Sequence, residues 1–233
     1  MFKNLILLNQ MEFFKKCFVI NLDRRPDRYT EFLSRIPFNS LICKRFSAID
    51  GKNLTNYSVK ENPYVMGCHL SHKQILENVM NDDNIKNDDF VIIFEDDVFF
   101  NKNFIEGIEN IKQTVDMIDI NSVIYIGGRF KTCFNPSSYK GWSFIKNNIY
   151  MKYGDYSNIL PQDYDRTTNV IVLSKFACKE IIEKTKHIKS SEPIDSLYNN
   201  IRKYIPEMKI YDLFPHLCYS PANYKTDIQN YIF

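Results

Sequence analysis

The chain has no Cys-x-x-Cys spacing, only seven glycines, one tryptophan and almost no net charge. Each shortage excludes something. Six cysteines, at 17, 43, 68, 133, 178 and 218, are too scattered for a zinc ribbon or a dithiol redox motif. Thirty basic residues against 28 acidic ones leave a charge of +2, too even for a protein held to nucleic acid by bulk electrostatics. No apolar run approaches the roughly 20 residues of a membrane span. Residues 1–10 hold only a short apolar run and no small-residue cleavage site, so no signal peptide is expected. Together these absences predict a cytoplasmic protein with free thiols, whether free in solution, peripheral to a membrane or within a host cell. Neither an internal repeat nor a low-complexity linker is present.

What the chain does have is the composition of a folded domain: 233 residues, 44% hydrophobic and 25% charged. A chain of this size buries roughly 70–75% of its unfolded surface, so it needs neither disulfide nor structural metal to fold. The expected organisation is one domain over 1–233, with an extension at 1–16 and an aromatic loop region at 129–166.

Strand and helix signals alternate along it. Cys17 to Asn21 reads as a buried strand, followed by a polar turn and a helix that Pro37 stops. A second strand ends at the Ile49-Asp50-Gly51 turn. Gly67 then opens a segment in which Leu70, Ile75 and Val79 suit a helix face. Phe90-Val-Ile-Ile-Phe94 is a buried strand bounded by acids. Asn103 and Glu106 have capping-box spacing before Phe104, Ile108, Ile111 and Val115 at helical period. Strands at 123–126 and 169–173, a helix capped by Ser174, a helix from Asp195 and a strand at 209–213 complete the pattern. It predicts an α/β fold with a largely parallel, Rossmann-like sheet flanked by helices.

Four clusters could carry chemistry. Glu95-Asp96-Asp97 follows the Phe90–Phe94 strand directly, and the carboxyl edge of an open α/β sheet is where ligands bind. In extended chain Glu95 and Asp97 share a side and could approach one Mg²⁺ or Mn²⁺ beside substrate phosphates. The alternative is an ordinary acidic turn. Arg24, Arg25 and Arg28, after Asn21 at another strand end, suit a phosphate or nucleotide near helix N–H groups. The alternative is a solvated first turn in which Asp23 and Asp27 pair the arginines. Gly67-Cys-His-Leu-Ser-His72 offers close backbone approach and donors at His69, Ser71 and His72. No other Cys or His stands at zinc-ligand spacing from its His-x-x-His. Asp195 either caps the helix that follows or serves as a general base at a site rim.

Taken in order, the motifs resemble glycosyltransferase family 25, which includes lipooligosaccharide galactosyltransferases and collagen hydroxylysine glycosyltransferases. The resemblance rests on Val19-Ile-Asn-Leu-Asp-Arg-Arg-Pro-Asp-Arg28, Arg45-Phe-Ser-Ala-Ile-Asp-Gly51, Gly67 to His72, Glu95 to Asp97 and Pro193-Ile-Asp195. Asn169-Val170 stands where the family has Ala-Tyr or Gly-Tyr. A Gln expected near Tyr219 or Ser220 is missing, and Thr226-Asp-Ile approximates a Ser-Asp-Ile ending.

The resemblance implies a GT-A type fold and inverting transfer of galactose or glucose from a UDP-hexose donor. The implied acceptor is a glycan or a hydroxylysine-containing protein. It further implies Mn²⁺ or Mg²⁺ on Glu95 and Asp97 with His216 as third ligand, and Asp195 as base. Nucleotide contacts are expected from Asn21, Arg24, Arg25, Arg28, Asp96 and the Gly67, His69, Ser71, His72 stretch. The aromatic residues from Tyr139 to Tyr164, with Trp142, are expected to stack on sugar faces. Two rivals share the acidic strand end: a metal-dependent nucleotidyltransferase or pyrophosphatase, and an inactive module that holds sugar nucleotide or glycan.

Overall fold

The computed structural model of the chain describes residues 13–38, 43–55, 58, 61–128, 142–147, 149–152 and 168–221. Strand β1 (Phe14–Asn21) runs three residues further back than its apolar core suggested, because Phe14 is buried. Helix α1 (Pro26–Arg35) starts on Pro26, whose missing N–H costs nothing in a first turn, and ends at Ile36 before Pro37. Strand β2 (Cys43–Ser47) returns parallel to β1. Helix α2 (Pro63–Met80) is capped by Asn62, whose side chain accepts from Tyr64 N at 2.9 Å. The Gly67–His72 segment is therefore interior helix, which opens four residues before Gly67 rather than at it.

Strand β3 (Phe90–Glu95) is followed by β4 (Phe99–Phe100) and α3 (Phe104–Thr114). Asn103 occupies the cap position of α3 but makes no side-chain capping bond. Then come β5 (Ser122–Tyr125) and β6 (Gly127–Gly128). Within the region expected to be loop lies a hairpin, β7 (Trp142–Lys146) and β8 (Ile149–Lys152), turned at Asn147 with φ 49°. The rest of that loop, the 226–228 ending and residues 1–12 lie outside the described residues. Strand β9 (Val170–Ser174) leads into α4 (Lys175–Thr185), where Ser174 Oγ accepts from Ala177 N at 2.9 Å. Helix α5 (Ile194–Asn199), β10 (Lys209–Leu213) and β11 (Cys218–Tyr219) close the order.

Eight strands form one sheet in the order β2-β1-β3-β9-β5-β10-β8-β7, and β4, β11 and β6 form a small second sheet. Six strands of the large sheet point one way, while β9 and β8 oppose them. The architecture is thus α/β with a mostly parallel sheet flanked by helices. Both faces are covered. Phe94 and Ile92 pack with Phe32, Phe38, Phe104 and Ile108 on the α1/α3 side. Val91 and Ile93 pack with Ile75, Leu76, Cys178 and Leu197 on the α2/α4/α5 side. Two-sided burial explains why β3 and β9 read as unbroken apolar runs.

The free-thiol expectation is corrected at one pair. Cys17 and Cys43 are directly opposed in the parallel β1/β2 register and form a disulfide, with Cα atoms 4.7 Å apart. Cys68, Cys178 and Cys218 are free. No helix among the described residues is long and apolar enough to cross a membrane.

Candidate functional site

The carboxyl ends of β1 and β3 open into a cleft lined by Asn21, Arg28, Asp50, Tyr64, Cys68, Ser71 and Glu95–Asp97. Because β9 runs antiparallel to β3, its lead-in residues arrive at this same edge. Glu95 N donates to Asn169 O at 2.8 Å, which places Thr168 and Asn169 beside the acidic run.

The three carboxylates have different surroundings. On Glu95, the single oxygen Oε1 lies 3.1 Å from Thr168 Oγ1, 3.3 Å from His72 Nε2 and 3.8 Å from Cys68 Sγ. Burial pushes the Glu95 carboxyl up, but the bonds and charge supplied by His72, with Thr168, more than offset it and hold it below its ordinary value. Asp96 pairs with Arg28 and accepts from Asn21 Nδ2 at 2.6 Å; burial still pushes it up. Asp97 accepts from Ser220 Oγ at 2.9 Å and lies 3.6 Å from Arg28. Burial first, then the Glu95 charge, pushes Asp97 up to about 7.

The arginine cluster divides. Arg28 is buried at the cleft between Asp96 and Asp97. Arg24 bonds Asp50 at 2.6 Å, and Arg25 pairs with Asp27 at 2.8 Å on the exposed first turn of α1. Asn21 is an organiser: its Nδ2 also donates to Arg25 O, while its Oδ1 accepts from Arg45 Nε at 2.9 Å. Arg45 is a participant that sequence reading did not select.

In α2, Gly67 serves close packing against protein backbone. A Cβ there would lie 2.5 Å from Ile49 O. Ser71 fastens the same turn, accepting from Ile49 N at 2.9 Å. His69 and His72 reach different partners, His69 Nδ1 lying 2.7 Å from Glu192 O while His72 faces Glu95. Burial lowers the His69 pKa. Among the described residues, one set of three potential ligand atoms lies within 4.8 Å of one another, that of Cys68, His72 and Glu95.

Asp195 does not cap its helix. Pro193 holds the cap position of α5, Asp195 sits in the first turn, and its Oδ1 accepts from Thr168 N at 2.6 Å. Burial and then the Glu95 charge raise its pKa. His216 follows the cis Phe214–Pro215 bond and packs against Gly128, where any Cβ would collide with the imidazole. Among the described residues His216 is not part of a set of ligand atoms within 4.8 Å of one another. Asp155, Asp163 and Asp165, further carboxylates of the aromatic loop, lie outside the described residues.

Thr168, Ser220 and Cys68 contact the carboxylates but were not singled out from sequence. Cys68 stood inside a quoted motif. Thr168 and Ser220 carry no local signal, because only the strand order brings them to β3.

An α/β domain with an acidic strand end over a cleft is a common ligand-binding arrangement, and sequence comparison narrows it. Residues 14–198 match glycosyltransferase family 25 (LPS biosynthesis protein), and the chain belongs to that family. A probable inactive glycosyltransferase 25 family member 3 of Rattus norvegicus is 31% identical over 133 residues, covering 49% of this chain and 23% of that protein. Procollagen galactosyltransferase 1 of Danio rerio is 25% identical over 249 residues, covering 94% of this chain and 38% of that one. The chain thus spans well under half the length of these relatives. A solved structure of mannose-1-phosphate geranyltransferase from Thermus thermophilus aligns with TM-score 0.39 and 9% identity, over 84% of this chain and 58% of that one. That likeness is too distant to carry an argument.

Proposed function

We propose that the chain is an active sugar transferase, moving galactose or glucose from a UDP-hexose to the hydroxyl of a glycan or of hydroxylysine in a protein, with inversion. The observation that carries this reading is that Glu95 and Asp97 line the cleft while Thr168, bonded to both Glu95 and Asp195, ties a third carboxylate to them. A carboxylate run with excess charge fits a divalent cation, since burial and repulsion from Glu95 already press Asp97 toward protonation. Glu95 and Asp97 are the residues that would hold Mn²⁺ or Mg²⁺. Such an ion supplies neutralisation of diphosphate charge as UDP leaves.

The protein's own groups do the remainder. Asp195, its carboxyl raised by burial, accepts the proton of the acceptor hydroxyl as the new glycosidic bond forms. Arg28 fixes the position of Asp96 and balances charge at Asp97. Asn21 ties the β1 end to the β3 end.

A UDP-release screen with Mn²⁺ tests this, crossing UDP-glucose and UDP-galactose against hydroxylysine, galactosyl-hydroxylysine and lactose-type acceptors. Acceptor-dependent UDP release supports transfer. Pyrophosphate or nucleoside monophosphate release points instead to nucleotidyl or pyrophosphatase chemistry. The second reading, a binding module without turnover, is favoured by the inactive relative, and UDP binding with no turnover across the panel would establish it.

A further inference from the structure

Three donors converge on one atom. Cys68 Sγ, His72 Nε2 and Thr168 Oγ1 all face Glu95 Oε1, at 3.8, 3.3 and 3.1 Å. They come from two separate parts of the chain, α2 and the lead-in to β9. His72 is fully buried and its Nδ1 has no hydrogen-bond partner. His72 thus lacks the outer partner that a metal-bound histidine normally has. The three side chains therefore read as a grip on Glu95 rather than as a ligand set with it.

Thr168 has a second attachment. Its backbone N–H donates to Asp195 Oδ1 at 2.6 Å while its hydroxyl holds Glu95. It is 2% exposed, so neither bond competes with bulk water. We propose that Thr168 is a positioning residue that sets the Glu95 and Asp195 carboxylates in a fixed relation to each other. The assignment rests on the transferase reading, in which Glu95 serves the diphosphate side of the reaction and Asp195 the acceptor side. One residue then fixes the distance between leaving group and nucleophile, where small displacements are costly.

The test uses the full chain, with Mn²⁺ and UDP as probes. Thr168→Val keeps the side-chain shape and the backbone donor but removes the hydroxyl. Mn²⁺-dependent UDP affinity, read by calorimetry, should fall at least about tenfold, the size expected for a hydrogen bond to a charged group. Thr168→Ser should restore it. In a Glu95→Gln background the same Thr168→Val change should add almost nothing, because its effect runs through that carboxylate. If Thr168→Val binds as the parent does, or if its loss is fully additive with Glu95→Gln, the positioning role is wrong while the transferase reading stands. If the parent itself shows no Mn²⁺-dependent UDP binding, the transferase reading fails first. Thr168→Ala replaces valine should the latter not fold. A cobalt–thiolate absorption band lost in Cys68→Ser would overturn the grip and make Cys68, His72 and Glu95 ligands.

Discussion

At the scale of single residues, Asp195 shows how a local pattern can mislead. Its place at a helix start suggested a cap, yet its carboxylate turns away to Thr168 N. Replacing it therefore tests chemistry without removing a helix cap. Asp195→Asn retains an acceptor oxygen for Thr168, and we expect an almost unchanged melting temperature with turnover down about 10²–10⁴-fold. Asp195→Ala should in addition cost about 1–3 kcal/mol in urea unfolding, because the buried Thr168 donor is left unmade.

Asp97 yields a second residue-scale expectation. Its carboxyl titrates near 7 in the fold against an ordinary value of 3.8, so the folded state binds the proton more tightly than the unfolded chain. Stability from this group is complete below the ordinary value and is lost as pH rises through about 7. In chelator at pH 8, Asp97→Asn should melt several degrees above the parent, and the difference should vanish near pH 4. Added Mn²⁺ should raise the parent's melting temperature and leave the variant unmoved. A variant no more stable than the parent in chelator would refute the charge argument.

At the scale of elements, α2 bears on the cleft through a backbone contact. Gly67 lets the 49–51 turn lie against the helix, and that turn carries Asp50, the partner of Arg24. Gly67→Ala would press a methyl group into a backbone carbonyl that cannot swing aside. We expect a loss of about 1–3 kcal/mol by chemical denaturation. The β1/β2 pair has its own fastening at Cys17–Cys43, which closes a loop containing all of α1. A non-reducing digest should contain the Cys17–Cys43 linked peptide, and reductant should lower stability by about 2–4 kcal/mol. Six free thiols in the unreduced protein, in place of four and that link, would refute the pairing.

At the scale of the whole molecule, the proposed ligand linkage is measurable as stability. UDP at a hundredfold over its Kd should stabilise the fold by about 2.7 kcal/mol, and only with Mn²⁺ present. Much of the architecture was legible beforehand. The apolar run at Phe90–Phe94, the Ser174 cap and the acidic strand end are local features, set by hydrophobic period and turn chemistry within a few residues of each other. The Arg25–Asp27 pair was legible too, but the partners of Arg24 and Arg28, the Cys17–Cys43 pairing and the Thr168 bridge were not, because each joins segments distant in sequence. The direction of β9 decides the most. Its five residues are as thoroughly buried as β3, and burial on both faces leaves the same apolar signature whichever way a strand runs. Only its antiparallel seating between β3 and β5 carries Thr168 to Glu95 and Asp195, so the sequence by itself determined the acidic edge while the tertiary structure decided which groups surround it.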